Sequence, residues 1–319
     1  MSNLYVLGNG FDLAHGLKTR YWHFRTFLDK NHSEFLTEFE KMYNIFPLDD
    51  TEPYYTEEGH MRWEQNVDKA LWSKFEYDIG NPDIQAMLDF SQSVLEDLKS
   101  GGIDYGLDDT MNYYWKDQYG FISDFPKYLS KWVTGIDLSI AKPIFSRLIN
   151  NNNDFYLNFN YTSTLQSIYK IKNDRILHIH GGIEPFCSVE PIMGHGNKKD
   201  IEYNQLKMLE YSDIDDGASS IYRAITNYLS SIYKDTDKII MQNRSFFQKI
   251  SVVKKIIVFG LSFAEVDLPY INRIIESVST NTLLEIYYFK DEEKQKFLSA
   301  INELNIPNYR VALRKTNEF

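Results

Sequence analysis

The chain has 319 residues, of which 43% are hydrophobic and 25% charged, with a formal net charge of −11 and one cysteine. That length supports a large core in one or two domains, and the acidic balance disfavours broad contact with phosphate backbones. The lone Cys187 cannot form an internal disulfide, the opening residues lack a signal peptide's basic and apolar segments, and apolar runs such as Ile256 to Leu261 are too short to span a bilayer; a cytosolic protein without membrane or stable nucleic-acid contact is expected.

The first predicted strand, Leu4 to Leu7, stops at Gly8-Asn9-Gly10, followed by Phe11 and Asp12. Glycines after a strand let the backbone approach a phosphate and turn N–H groups toward it, or simply make a tight turn. The third glycine of a full dinucleotide fingerprint is missing, since position 13 is Leu13. Thr19 is placed to cap a helix from about Arg20 to Asp29, with Tyr21, Phe24, Phe27 and Leu28 on one face.

Residues 31 to 150 lack strand signals and are rich in aromatics and acids, which predicts a mostly helical insertion. Within it Trp72, Phe75 and Glu76 share a helical face. Glu76 there is either a tip reaching solvent, the commoner case, or a carboxylate set in a pocket.

A second strand, Phe155 to Phe159, leads into Asn160-Tyr161-Thr162. Asn160 is a helix cap or a ligand contact, and Thr162 is placed to cap a short helix through Tyr169. A third strand, Ile176 to Ile179, ends in His178-Ile179-His180-Gly181-Gly182. Alternation puts His178 and His180 on one face, and no Cys/His cluster is present to complete a metal site. His180 is a candidate general base or a buried, hydrogen-bonded histidine, and Gly181 permits a close ligand or a sharp turn. His195 lies between Gly194 and Gly196 in a loop, and residues 200 to about 252 read as helical.

A fourth strand, Ile256 to Phe259, ends in Gly260-Leu261-Ser262, with Asp267 shortly after. Gly260 and Ser262 offer backbone and hydroxyl contacts to phosphate or ribose, or form a capped turn. A helix from Val266 to Val278, a strand from Leu283 to Phe289, a helix from Asp291 to Leu304 and a weaker strand from Tyr309 to Leu313 complete the chain.

The strands are continuously apolar, as strands covered on both faces are. The expected fold is α/β: a Rossmann-like, doubly wound, mostly parallel six-stranded sheet with a large helical insertion. Residues 1–30 and 151–319 form the α/β core in this reading, and 31–150 the insertion domain. Parallel strands bring the Gly8–Gly10, Asn160, His180/Gly181 and Gly260/Ser262 ends to one edge, which predicts a polar crevice sized for a nucleotide.

The segments GNGFDLAHGL, NFNYTSTL, HIHG, GHG and FGLSFAEVD, in this order, resemble the AbiH family of bacterial proteins, named for abortive infection by bacteriophage. That family is distantly similar to the sirtuin-like NAD-consuming fold. The resemblance implies cofactor phosphates at Gly8, Asn9 and Gly10; Phe11, Asp12 and Gly181 are further candidate contacts in the same nucleotide site, and His195 either closes over the ligand or simply turns the chain. It makes Asn160 the residue that positions ribose or water, His180 the catalytic base, and Gly260 and Ser262 the holders of the cofactor's far end. Thr162 stands where such sequences usually carry an acid, and the zinc-binding cysteines of deacetylating sirtuins are missing, so the resemblance implies no metal and no protein deacetylation.

The activity that the resemblance implies is hydrolysis of the N-glycosidic bond of NAD, with Asp12 and Glu76 as further carboxylates able to steady positive charge. The alternatives are a non-catalytic NAD or ADP-ribose sensor, a hydrolase of another nucleotide, and an interaction protein whose insertion recognises a phage component. Homo-oligomerisation and a phage-derived trigger are left open.

Overall fold

Six runs of the chain form strands: β1 (Asn3–Leu7), β2 (Phe155–Asn158), β3 (Ile176–His178), β4 (Lys255–Phe259), β5 (Leu283–Tyr288) and β6 (Val311–Lys315). All pair in parallel, in one sheet of order β3-β2-β1-β4-β5-β6. This computed structural model describes residues 2–47, 56–102, 107–148 and 151–319. The α/β, Rossmann-like expectation holds: the order reverses between β1 and β4, so the loops after these two strands flank the switch point.

The apolar runs are strands because both of their faces are covered. Leu4, Val6, Leu157, Ile256, Val258, Leu284 and Ile286 share one cluster with Tyr270, Ile271, Ile274, Phe297 and Ile301 of the helices Leu268–Ser277 and Asp291–Glu303. Tyr5, Leu7, Tyr156, Ile257, Phe259 and Tyr287 form the other with Phe11, Leu148, Leu165 and Tyr169. Each strand divides its side chains between the two by alternation.

Several local expectations need correction. Gly8-Asn9-Gly10 does not open a loop: Gly8 is the N-cap of a six-residue helix, Asn9–Ala14. Thr19 does not cap the following helix, which begins at Tyr21, because its hydroxyl donates to Asn9 Oδ1 at 2.6 Å. His23 Nδ1 instead accepts from the Arg20 N–H at 3.1 Å. The helix expected after Thr162 shrinks to Thr164–Ser167, with Ser163 at its N-cap. Residues 308–310 form a 3-10 turn, so β6 begins two residues later than expected.

The chain divides into two compact units, residues 1–23, 129–192 and 235–319 in the first and 24–128 and 193–234 in the second. The expected boundaries were 30 and 150; residues 48–55, 103–106 and 149–150 of that expected insertion lie outside the described residues. The first unit holds the whole sheet.

The second unit is helical among its described residues. Its core includes Trp72 stacked on Phe75 at 4.6 Å, with Phe24, Phe39 and Phe125 around them. A buried Arg25–Glu40 pair, bonded at 2.7 and 3.0 Å, also receives the Trp72 indole N–H at 2.7 Å.

Candidate functional site

The site builds up from the carboxyl ends of β1 and β4. The Gly8 N–H donates to the Phe259 carbonyl at 3.0 Å and the Gly10 N–H to the Gly260 carbonyl at 2.9 Å, so the ladder continues past both strands. A Cβ at Gly8 would lie 2.5 Å from the Gly260 oxygen, one at Gly10 2.6 Å from Gly260 Cα, and one at Gly260 2.5 Å from the Phe11 nitrogen. Gly260 also sits at φ +70°, where L side chains are strained. The three glycines are therefore required by contact between two backbones.

Asn9, the first residue of its helix, reaches the chain that follows that helix. Its amide donates to the Thr19 carbonyl at 3.0 Å, and its oxygen accepts the Thr19 hydroxyl. Phe11 is buried in the sheet-face cluster, and its carbonyl meets His15 Nδ1 at 2.7 Å. His15 Nε2 lies 2.7 Å from the Tyr169 hydroxyl, which places both ring nitrogens in structural bonds.

Asp12 is 1% exposed. Its two oxygens accept the Thr162 hydroxyl at 2.7 Å and the Thr164 hydroxyl at 3.0 Å. Burial pushes its carboxyl up to about 6, against the opposing effect of the two hydroxyl bonds. Thr162 thus meets a carboxylate that arrives from the helix after β1.

Asn160 is a strap. Its side-chain amide donates to the Gly8 carbonyl at 3.1 Å, and its own N–H donates to Asn158 Oδ1 at 3.2 Å. It caps no helix.

The two histidines of the third motif part company, because β3 ends at His178 and alternation stops there. His178 Nδ1 lies 3.2 Å from the Asn160 carbonyl and 3.3 Å from the Asn158 amide nitrogen, and its Nε2 lies 2.9 Å from the Gln166 amide nitrogen. Burial pushes its imidazole down, so it is neutral near pH 7.

His180 turns to the opposite side, against the rings of Phe159 at 5.1 Å and Tyr270 at 5.4 Å. Its Nε2 lies 3.7 Å from Asp267 Oδ1, and the two side chains are 4% and 8% exposed. A carboxylate this close to a buried imidazole stabilises the imidazolium that forms when the ring takes a proton.

Gly181 is at φ +72°, and a Cβ there would meet the Glu190 oxygen at 2.1 Å. Ser262 is exposed and follows Leu261, whose backbone lies against Gly8.

His195 belongs to the second unit, whereas the glycines, Asn160 and His180 belong to the first. Its Nε2 donates to the Leu229 carbonyl at 2.9 Å and Nδ1 accepts the Asn197 N–H at 3.0 Å, and burial lowers its pKa. Glu76, in the same unit as His195, is no free solvent tip: it pairs with the fully buried Lys234 at 2.8 Å. Among the described residues no group of three or more His, Cys, Asp or Glu side chains is arranged to hold a metal ion, and no helix is long and apolar enough to cross a membrane.

The family model described as bacteriophage abortive infection AbiH matches residues 4–289. The chain belongs to the AbiH family. No match was found among curated proteins or solved structures. The matched span runs from β1 through β5 and includes every residue of the AbiH sheet edge.

The residue that sequence reasoning left without a role is Asp267. Its only local signal is an acid shortly after a strand's glycine turn, in AEVDLP. Burial beside His180 is what singles it out.

Proposed function

We propose that this AbiH-family protein acts in abortive infection as a nucleotide-cleaving enzyme whose substrate is NAD, bound at the carboxyl edge of the sheet. The observation that carries the reading is the buried His180–Asp267 pair beside the strand ends.

In this reading water attacks C1′ of the nicotinamide ribose while the C1′–N bond breaks and its electron pair leaves with nicotinamide. The water's proton passes to His180 Nδ1, the ring nitrogen that does not face Asp267, and Asp267 beside Nε2 steadies the resulting imidazolium. The products are ADP-ribose, nicotinamide and one proton, so atoms and charge balance. Asn160 is a positioning residue, because its side chain acts on the edge through the Gly8 carbonyl. Asp12 holds Thr162 and Thr164 on the same edge.

The test is nicotinamide release by purified protein. Wild-type release that falls by about two to four orders of magnitude in His180→Ala supports the assignment. Asp267→Asn is expected to lower the rate while leaving NAD binding in place. Release that persists undiminished in both variants removes His180 from the reaction.

The sensor reading is favoured by a specific observation too: His180 and Asp267 are 3% and 5% exposed. NAD or ADP-ribose binding measured by calorimetry, without any nicotinamide release, decides for it.

A further inference from the structure

Asn158 and His178 are register partners at the carboxyl ends of β2 and β3. Gln166, from the short helix between these strands, and Asn160, just past β2, join them, and all four side chains are buried. Polar groups enclosed by protein have only one another to bond to, so each hydrogen among them needs an assigned acceptor.

The orientation of Asn158 is fixed, because its Oδ1 accepts the Asn160 N–H at 3.2 Å. Its amide nitrogen is therefore the end that faces His178 Nδ1, at 3.3 Å. The Asn160 carbonyl faces the same ring nitrogen at 3.2 Å, and no other donor among the described residues reaches that carbonyl. Nδ1 either gives a hydrogen to the Asn160 carbonyl or accepts one from Asn158; it cannot do both.

In the first arrangement the neutral ring is bare at Nε2, which then accepts from the Gln166 amide nitrogen 2.9 Å away. One Asn158 N–H and the Gln166 Oε1, which meets no partner, are left over. In the second arrangement Nε2 carries the hydrogen and Gln166 turns its oxygen toward it. That leaves the Asn160 backbone carbonyl bare, together with the Gln166 amide nitrogen. Buried backbone carbonyls are almost always paired, which selects the first arrangement.

We propose that His178 is a positioning residue of the candidate site: with its hydrogen on Nδ1, a tautomer selected by Gln166, it holds the Asn160 carbonyl, and the Asn160 side chain in turn holds the Gly8 carbonyl. His178 acts through Asn160 and takes no part in proton transfer. Its effect on rate rests on the NAD-cleaving reading; the place of its hydrogen does not.

NMR of the ring nitrogens in histidine-labelled protein near neutral pH reads the tautomer. The resonances that vanish in His178→Asn are expected to be those of a ring protonated at Nδ1 and bare at Nε2; a ring protonated at Nε2 alone overturns the proposal. Two variants then separate positioning from packing. Asparagine places an amide N–H where Nδ1 was, and glutamine places one where Nε2 was, so each forfeits one of the ring's two bonds. His178→Gln is expected to lower nicotinamide release about tenfold, the equivalent of one buried hydrogen bond, and His178→Asn to recover most of that loss. Equal losses in both mean a merely structural role and overturn the proposal. If wild type releases no nicotinamide, the NAD reading fails and the backbone amide resonances of Gly8 and Gly10 decide. Resonances displaced in His178→Gln and kept in His178→Asn support the proposal, and equal displacement in both, or none, overturns it. Should His178→Gln misfold, Gln166→Glu takes its place: a carboxylate there draws a hydrogen onto Nε2, and an Nε2 that stays bare overturns the role given to Gln166.

Discussion

Gly10 and Gly260 touch through their backbones: the Gly10 N–H donates to the Gly260 carbonyl at 2.9 Å, and a Cβ on Gly10 would fall 2.6 Å from Gly260 Cα. The helix start after β1 and the loop after β4 are therefore held together at the point where the strand order reverses. A methyl group at either position must push apart two main chains, which have no flexible end to yield. Gly260→Ala adds the strain of φ +70°. Each alanine variant is expected to lose about 3 kcal/mol, from overpacking and, at Gly260, from the left-handed backbone. Urea unfolding followed by circular dichroism reads this directly; variants as stable as wild type would show that the two loops can part without cost.

Asp12 makes stability depend on pH in an uncommon direction. Its carboxyl is raised to about 6 by burial, above the unfolded value near 4, so the folded chain holds the proton more tightly. That contribution is fully present below the unfolded pKa and fades as pH rises through about 6. Relative to Asp12→Asn, wild type should gain up to about 3 kcal/mol between about pH 8 and about pH 4. Paired unfolding curves across this range supply the check, and parallel pH profiles for the two proteins would refute it.

Asn160 joins the β1 and β2 loops through Gly8. Asn160→Ala leaves a carbonyl without that donor and should cost about 1 to 2 kcal/mol. If NAD cleavage is the reaction, the same variant should lower nicotinamide release more than its stability loss explains, because the edge is displaced. Asn160→Asp is the sharper probe: it retains the shape and loses the donor. An Asp variant with full stability and full activity argues against the strap.

In the second unit, Lys234 is fully buried and meets Glu76 at 2.8 Å. Removing one partner leaves a buried charge uncompensated, so Glu76→Gln or Lys234→Met should each cost about 3 to 5 kcal/mol. The double variant Glu76→Leu with Lys234→Met should recover much of that loss. A double-mutant cycle from thermal or urea unfolding measures the coupling, and additive losses would mean that the pair is not coupled.

The fold was largely legible from residue patterning. Val6, Leu157, Val258 and Ile286 sit in continuous apolar runs, and such runs suit strands only where both faces are covered. The AbiH motifs were legible because they are short and contiguous, and all but GHG lie at strand ends. Less visible were the caps, because Thr19 and Thr162 could bond to a helix terminus or to a side chain, and the choice went to Asn9 and Asp12. His178 and His180 were misplaced on one face because the end of β3 is set by pairing with β2, which a run of residues does not disclose.

By itself the sequence determined the parallel sheet and membership of the AbiH family, since periodicity and short motifs act within a few residues. Only the tertiary structure decided who meets whom. Gly10 needed Gly260 opposite it, His180 needed Asp267, and Glu76 needed Lys234. These partners are far apart along the chain, and they are joined by crossovers between elements that neighbour each other in space and not in sequence. Burial then turns each meeting into an energetic commitment, because a polar group or a backbone enclosed by protein has no water to fall back on.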